Sequence, residues 1–475
     1  MANKVRTIFA NMSWLMVSQI LTSVFAFVWT ILTARYLGPS DYGVFGTAVS
    51  ISTIFGVFAT FGIFTYLVRA ISTDFENEDK YVNNTLSLKL FLAVFYFAII
   101  LLATYLLGWD RYVIGFCMLF AFEYLIKTFH DVFFSSFQAH EKIKYQAITN
   151  IIINSLTLVF IILVIVTDFG LLGIAFAYIL ANFIALLYAL YAMRKHIMKP
   201  KLSFDFAFYK VLIMAGIPFA LTGLFYTIYY SIDIVMITQF ASTYDTGLYN
   251  SAYKLISVLA LFYTIYSAVI FPVMSKLFKN EKDLLNLSFV KSIKYLSLAT
   301  IPIAVFTSLY GYDIIGIYGA EFIEAGGVLK ILIWTVCFLF INGACSLVLN
   351  ASHEEYSVTK IYSIAAVFNV ILNLFLIPRY SVYGASVATV LSEILILVLE
   401  LYMIRKIGQL PDRHLVYDIL KICVASAVMG IVLYVFNFNL WVAMAVSIIV
   451  YFASIILLKT FDQEDISIVK QIIGK

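Results

Sequence analysis

The sequence predicts an all-α polytopic membrane protein of about 14 transmembrane helices: two parallel-repeat six-helix lobes followed by two accessory helices. Three observations carry this expectation. Of 475 residues, 63% are hydrophobic and 12% charged, whereas soluble domains are about 45–50% apolar and about 25% charged. The apolar residues fall in runs of roughly 20 or more, enough to cross a hydrocarbon core about 30 Å thick. A stretch of the first half also reappears in the second.

Apolar runs read against their polar breaks give segments 11–34, 43–71, 84–107, 112–138, 146–167 and 171–193, a first set of six. Lys4 and Arg6 precede the first run in the manner of a signal sequence, but no small-residue cleavage site follows, so this run is expected to stay as a helix. A basic linker leads to segments 207–240, 247–275, 285–310, 328–352, 356–377 and 383–404. A polar stretch containing Arg405, Lys406, Pro411 and Arg413 then precedes runs 415–436 and 438–459 and a short amphipathic tail. The domain reading is an N-terminal lobe, 1–195, a linker, 196–206, a C-terminal lobe, 207–406, and an accessory region, 407–475. Pro218, Pro272 and Pro302 interrupt second-lobe segments, so bends are expected there.

The net charge of +4 forms no basic face that would suit nucleic acid. With the N-terminus in the cytoplasm, 25 of the 31 Lys and Arg residues fall at cytoplasmic ends and loops. That bias sets the expected orientation in the cytoplasmic membrane, with both termini inside. Cys117, Cys337, Cys345 and Cys423 all lie in apolar runs without metal-ligand spacing and read as buried thiols. No metal, cofactor or catalytic motif is expected.

Residues 169–195 align without gaps on 380–406 at an offset of 211, with eight identities that include Gly173 on Gly384 and Arg194-Lys195 on Arg405-Lys406. Asp41-Tyr42-Gly43 more weakly matches Asp245-Thr246-Gly247. Repeats of like orientation predict lobes related by an axis along the membrane normal, a plan that places a site centrally.

Charge within apolar segments costs about 2.5–3.5 kcal/mol per residue on insertion scales and needs a partner or an aqueous lumen. The fourth segment carries Glu123, Lys127 and Asp131 at i, i+4 and i+8, with His130 beside them. This stripe either lines a lumen or seals the helix as a neutralised triad. Asp233 and Lys254 stand at similar depth on the seventh and eighth segments and could pair. Arg69 and Lys89 lie near helix ends, and snorkelling to headgroups is the expectation for Lys89. Glu393 sits mid-segment without an obvious basic partner, and the repeat puts Asn182 at its matching position.

Several short motifs resemble, in combination, the Wzx-like polysaccharide flippases of the multidrug/oligosaccharidyl-lipid/polysaccharide exporter superfamily. They are Ala34-Arg35-Tyr36-Leu37-Gly38-Pro39 with Tyr42-Gly43, Gly216-Ile217-Pro218, Gly247-Leu248-Tyr249, Phe271-Pro272, Asn369, Asn373, Leu376-Ile377-Pro378 and Gly384-Ala385. The resemblance implies twelve core helices around an alternately opening cleft, with a lipid-linked oligosaccharide as cargo and no chemical step. On that reading Arg35, Arg69, Lys127, Lys254 and His130 are the candidate cargo contacts, and Glu123, Asp131, Asp233 and Glu393 the candidates for ion coupling or gating. The implied partners are the lipid-linked cargo, membrane lipid and polysaccharide assembly enzymes, with the chain a monomer. A drug or cation antiporter of the same superfamily, expected to have an acidic lumen, is the neighbouring alternative. A membrane glycosyltransferase or polymerase is the contrasting one, but the longest outer loop, 311–327, holds only Asp313, Glu321 and Glu324.

Overall fold

The computed structural model describes residues 2–408, 413–462 and 465, and the described residues are helical almost throughout. The elements are α1 (Ala2–Phe55), α2 (Val57–Thr60), α3 (Ile63–Thr73), α4 (Glu78–Leu106), α5 (Arg111–Ala139), α6 (Ile143–Thr167) and α7 (Gly170–His196). They continue with α8 (Phe206–Phe240), α9 (Thr243–Asn280), α10 (Lys282–Ile315), α11 (Ala325–Ala351), α12 (Glu355–Lys406), α13 (Arg413–Phe436) and α14 (Leu440–Leu457). Twelve helices among the described residues are long and apolar enough to span a bilayer, so this is a multi-pass membrane protein. Residues 409–412 of the expected polar stretch and most of the expected amphipathic tail lie outside the described residues.

Twelve helices rather than fourteen appear because α1 and α12 each run through a reversal. Trp29 and Phe45 both lie against the Tyr178 ring, at centroid distances of 5.2 and 5.6 Å. A straight helix would separate residues that far apart in sequence by about 24 Å. The chain turns between them at Gly38 (φ 70°, ψ 172°), a conformation that a Cβ would make costly, with Pro39 next. In α12 the break is at Ser381 (φ 46°), and a Cβ on Gly384 would stand 2.5 Å from the Leu376 carbonyl oxygen, so the two arms double back tightly.

The proline expectation is met only in part. Helix continues through Pro218, Pro272 and Pro302. Non-helical residues interrupt α10 at Tyr310 (φ −100°, ψ 21°) and α12 at Ser381, away from these three prolines, and in the first lobe Phe61 (φ 45°) and Gly62 (φ 65°) separate α2 from α3. Two further expectations are corrected. Cys423 is exposed, while the other three thiols are buried. Lys89 does not snorkel; it is 3% exposed, held inside by the packing of α4.

The chain forms two compact units, residues 1–250 and 251–475. In the first, α1 packs on α5, α6 and α8, α5 on α7, and α3 on α5 and α8. The stretch between α7 and α8 is tied to α4: the Lys201 N–H donates to Asn83 Oδ1 at 2.7 Å and the Asp205 N–H to Asn84 Oδ1 at 3.0 Å. Two glycines let backbones meet in this unit. A Cβ on Gly43 would lie 1.8 Å from the Thr243 carbonyl oxygen, and one on Gly247 would lie 1.9 Å from that of Pro39. In the second unit α11 packs on α10 and α12, while α13 packs on α10 and α14.

Candidate functional site

The polar cavity in the first unit encloses about 310 Å³ and is walled by α1, α5, α6 and α7. Asp110 caps α5 by accepting the Val113 N–H at 2.8 Å, which sets the helix that carries the charged stripe. Glu123, Lys127, His130 and Asp131 all line the cavity. The structure thus brings together the four residues that the spacing placed on one face.

Glu123 is buried and accepts from two sides. Lys127 Nζ stands 2.7 Å from its Oε1, and Asn182 Nδ2 donates to the same oxygen at 2.8 Å. Asn182 is held in turn by its bond to the Tyr178 carbonyl, one turn back on α7. Lys127 itself keeps 46% of its side chain exposed. Within this ion pair the accessible charge is therefore the cation, while its counter-ion is buried; Asp131 lines the same cavity. Lys89 is buried on α4.

The rest of the lining includes amides and rings that sequence reasoning did not single out. Asn150, Asn154 and Thr157 descend α6, and Trp29 stands edge-on to Tyr178. Trp29 Nε1, His130 Nε2, Tyr178 OH and Asn182 Oδ1 are buried without a hydrogen-bond partner among the described residues. Buried polar atoms are normally satisfied, so four such atoms on residues around one cavity mark a place built to exchange hydrogen bonds with something that enters. The signal available in the sequence was the i, i+4 recurrence of Asn150 and Asn154 in an otherwise apolar segment.

The other predicted residues lie elsewhere. Arg35 and Arg69 are exposed and do not line this cavity. Asp233 is buried on α8 and accepts from Tyr249 OH at 2.7 Å. Lys254 belongs to the second unit and is half-buried. Glu393 is buried on α12, where Asn342 Nδ2 donates both to its Oε2 at 2.7 Å and to its backbone carbonyl at 3.0 Å. The second unit also buries Glu400, which accepts from Ser346 Oγ and was missed in the sequence because it sits close to the basic end of its segment.

Apolar helices long enough to span a bilayer, with a cavity lined by charges and amides inside the first unit, define a multi-pass membrane protein. The chain belongs to the polysaccharide biosynthesis protein family, whose model matches residues 8–278. It is 22% identical over 404 residues to the capsular polysaccharide biosynthesis protein CapF of Staphylococcus aureus, covering 84% of this chain and 99% of that one. It is 27% identical over 165 residues to the probable flippase AglR of Haloferax volcanii, covering 34% of this chain and 35% of that protein. In fold it is similar to a lipid II flippase MurJ in an inward closed conformation, with TM-score 0.75, 17% identity, and coverage of 95% of this chain and 99% of that one. An inward-facing multidrug resistance MATE family transporter of the MOP superfamily matches with TM-score 0.66, 14% identity, and coverage of 82% and 94%. The family match bears out the resemblance to polysaccharide-family proteins that the short motifs carry.

Proposed function

We propose that this chain carries a lipid-linked oligosaccharide from the cytoplasmic to the outer leaflet by alternating access, for assembly of a surface polysaccharide, and catalyses no reaction. The observation that carries the reading is the accessible Lys127 ammonium beside three amides and unpartnered polar atoms within an apolar bundle. Sugar hydroxyls cross hydrocarbon only if their hydrogen bonds are replaced, since each one left unmet costs several kcal/mol. A cavity of about 310 Å³ is at the small end of ligand pockets, of a size for a single sugar or part of a headgroup rather than a whole oligosaccharide. Arg35, Arg69, Lys254 and His130 supply further donors to the anionic cargo along the route, while Glu123, Asp131, Asp233 and Glu393 serve gating or ion coupling.

The orientation of this reading has both termini in the cytoplasm, as the Lys and Arg bias requires. The polyprenyl tail stays in lipid, and the chain works as a monomer alongside polysaccharide assembly enzymes. A diphosphate leaving a negative interior is driven outward by about 2.3 kcal/mol per charge per 100 mV. In vesicles reconstituted with a defined lipid-linked oligosaccharide, an imposed potential accelerates flipping in the matching direction without a proton or sodium gradient. Flipping that ignores potential, needs a cation gradient and is abolished by Glu393→Gln would replace this reading with antiport. A chain that moves a cationic drug and no oligosaccharide lipid would end it.

A further inference from the structure

At one end of the second unit, the start of α10, the start of α13 and the stretch after α14 meet in a buried ionic knot. Lys291, Lys294 and Tyr295 lie on one face of α10 at i, i+3 and i+4. Lys291 Nζ donates to Asp462 Oδ2 at 2.7 Å and to Asp465 Oδ1 at 2.8 Å. Lys294 Nζ donates to Asp465 Oδ2 at 2.7 Å and pairs with Asp418 of α13 at 2.8 Å. Tyr295 OH adds a bond to Asp465 Oδ1 at 2.7 Å. The two tail aspartates brace each other: each accepts the other's backbone N–H, at 2.9 and 2.7 Å.

The side chains of Lys294 and Asp465 are each 1% exposed, and Lys291 is 10% exposed, but Asp462 is 48% exposed. The knot is therefore closed at its base and open at one carboxylate. Two ammoniums and a phenol converging on a compact double anion form a donor set suited to phosphate, whose oxygens take charge-assisted hydrogen bonds in the same way. Lys294 keeps Asp418 when the tail withdraws, and an anion entering in the tail's place restores the charge partners that the two ammoniums lose.

We propose that Lys291, Lys294 and Tyr295 form a binding site for a phosphate or diphosphate group, and that Asp462 and Asp465 occupy it as a built-in competitor. The connection from α14, which ends at Leu457, to Asp462 is short, so exchange requires only that this stretch swing away. The phosphate can come from an anionic phospholipid headgroup or from a free diphosphate; the chemistry is shared, and the experiment separates the two.

Hydrogen exchange of residues 458–465 in the unmodified full-length protein reads the tail directly. Inorganic diphosphate, or vesicles of phosphatidic acid in phosphatidylcholine compared with phosphatidylcholine alone, should speed this exchange by about tenfold. Release by the vesicles alone assigns the site to membrane phospholipid; release by free diphosphate alone assigns it to a soluble or cargo-borne group. The pair Asp462→Asn with Asp465→Asn should bind the effective probe about tenfold more tightly, and adding Lys291→Gln and Lys294→Gln should cancel that gain. If neither probe changes exchange in the unmodified chain, and the Asn pair binds neither more tightly, the knot is a structural clamp and the proposal is overturned.

Discussion

Gly43 and Gly247 each lie against a backbone carbonyl four residues before the other: Gly43 against Thr243 and Gly247 against Pro39. The contact is reciprocal, and both glycines close an Asp-x-Gly triplet at an offset of 204 in sequence. Local pseudo-symmetry thus places each turn of one repeat onto the equivalent turn of the other. Thr47 and Thr238 extend the seam with a hydroxyl contact of 2.6 Å.

Because carbonyls cannot step aside as side chains can, Gly43→Ala and Gly247→Ala should each destabilise by about 1–3 kcal/mol, as overpacking does. Thermal unfolding in detergent reads the loss. Wild-type melting of both variants would show that the seam is looser than the carbonyl distances indicate.

A second reciprocity concerns the buried acids. In the first unit Glu123 on α5 faces Asn182 on α7; in the second, Asn342 on α11 faces Glu393 on α12. The acid and the amide have exchanged helices between repeats, which the offset of 211 already hints at by aligning Asn182 with Glu393. Exchanging them within the first unit should therefore be tolerated. Glu123→Asn and Asn182→Glu should each impair transport, and the double variant should recover by a coupling of about 0.5–3 kcal/mol. A double variant no better than the worse single would deny the equivalence.

Lys127→Ala removes the accessible cation but leaves Glu123 its amide donor, and Arg69→Ala removes a separate exposed charge. Lys127→Ala should lower export of surface polysaccharide by about tenfold or more, the scale of one charged hydrogen bond, with insertion intact. Arg69→Ala should act additively, since it lies away from the cavity. Accumulation of lipid-linked intermediates on the inner leaflet provides the readout, and normal flipping in the double variant would discard the cationic wall.

The ionic knot carries a pH signature. Burial pushes the Asp465 carboxyl up, but hydrogen bonds from Lys291, Lys294, the Asp462 N–H and Tyr295 outweigh it and hold the group below the usual carboxylate range. A depressed native value means that its stabilisation is present above the unfolded value of about 3.9 and is lost as pH falls through the native one. Melting temperature should then fall more steeply below about pH 4 in the parent than in Asp465→Asn. Parallel curves would remove Asp465 from the acid response.

Orientation is tested by an impermeant thiol reagent. Cysteines at Asp110 and Asp245 should react from outside, and ones at Lys142 and Lys199 should not. Reversed labelling would invert the proposed topology.

The elements most legible in the sequence are those governed by local spacing. Hydrophobic run length located the spanning helices, and the i, i+4, i+8 rule put Glu123, Lys127 and Asp131 on one wall. What stayed hidden depends on tertiary packing. Lys291 and Asp465 are 174 residues apart, and no local pattern announces their pairing. Lys89 sits close enough to a helix end to read as a headgroup contact, but burial by α4's neighbours decides otherwise. The break at Phe61 falls inside the expected segment 43–71 and carries no proline, whereas the one at Ser381 falls between the expected segments 356–377 and 383–404.

Of the four thiols, only Cys423 is exposed, within a stretch of α13 apolar enough to lie in the bilayer. The native chain therefore offers one chemically addressable position to a lipid-soluble maleimide, without mutagenesis. That position is two residues from Lys421, whose ammonium donates to the Lys459 carbonyl at 3.1 Å. An environment-sensitive dye attached there would sit beside the end of α14 and convert movement of the accessory helices into an optical signal from unaltered protein.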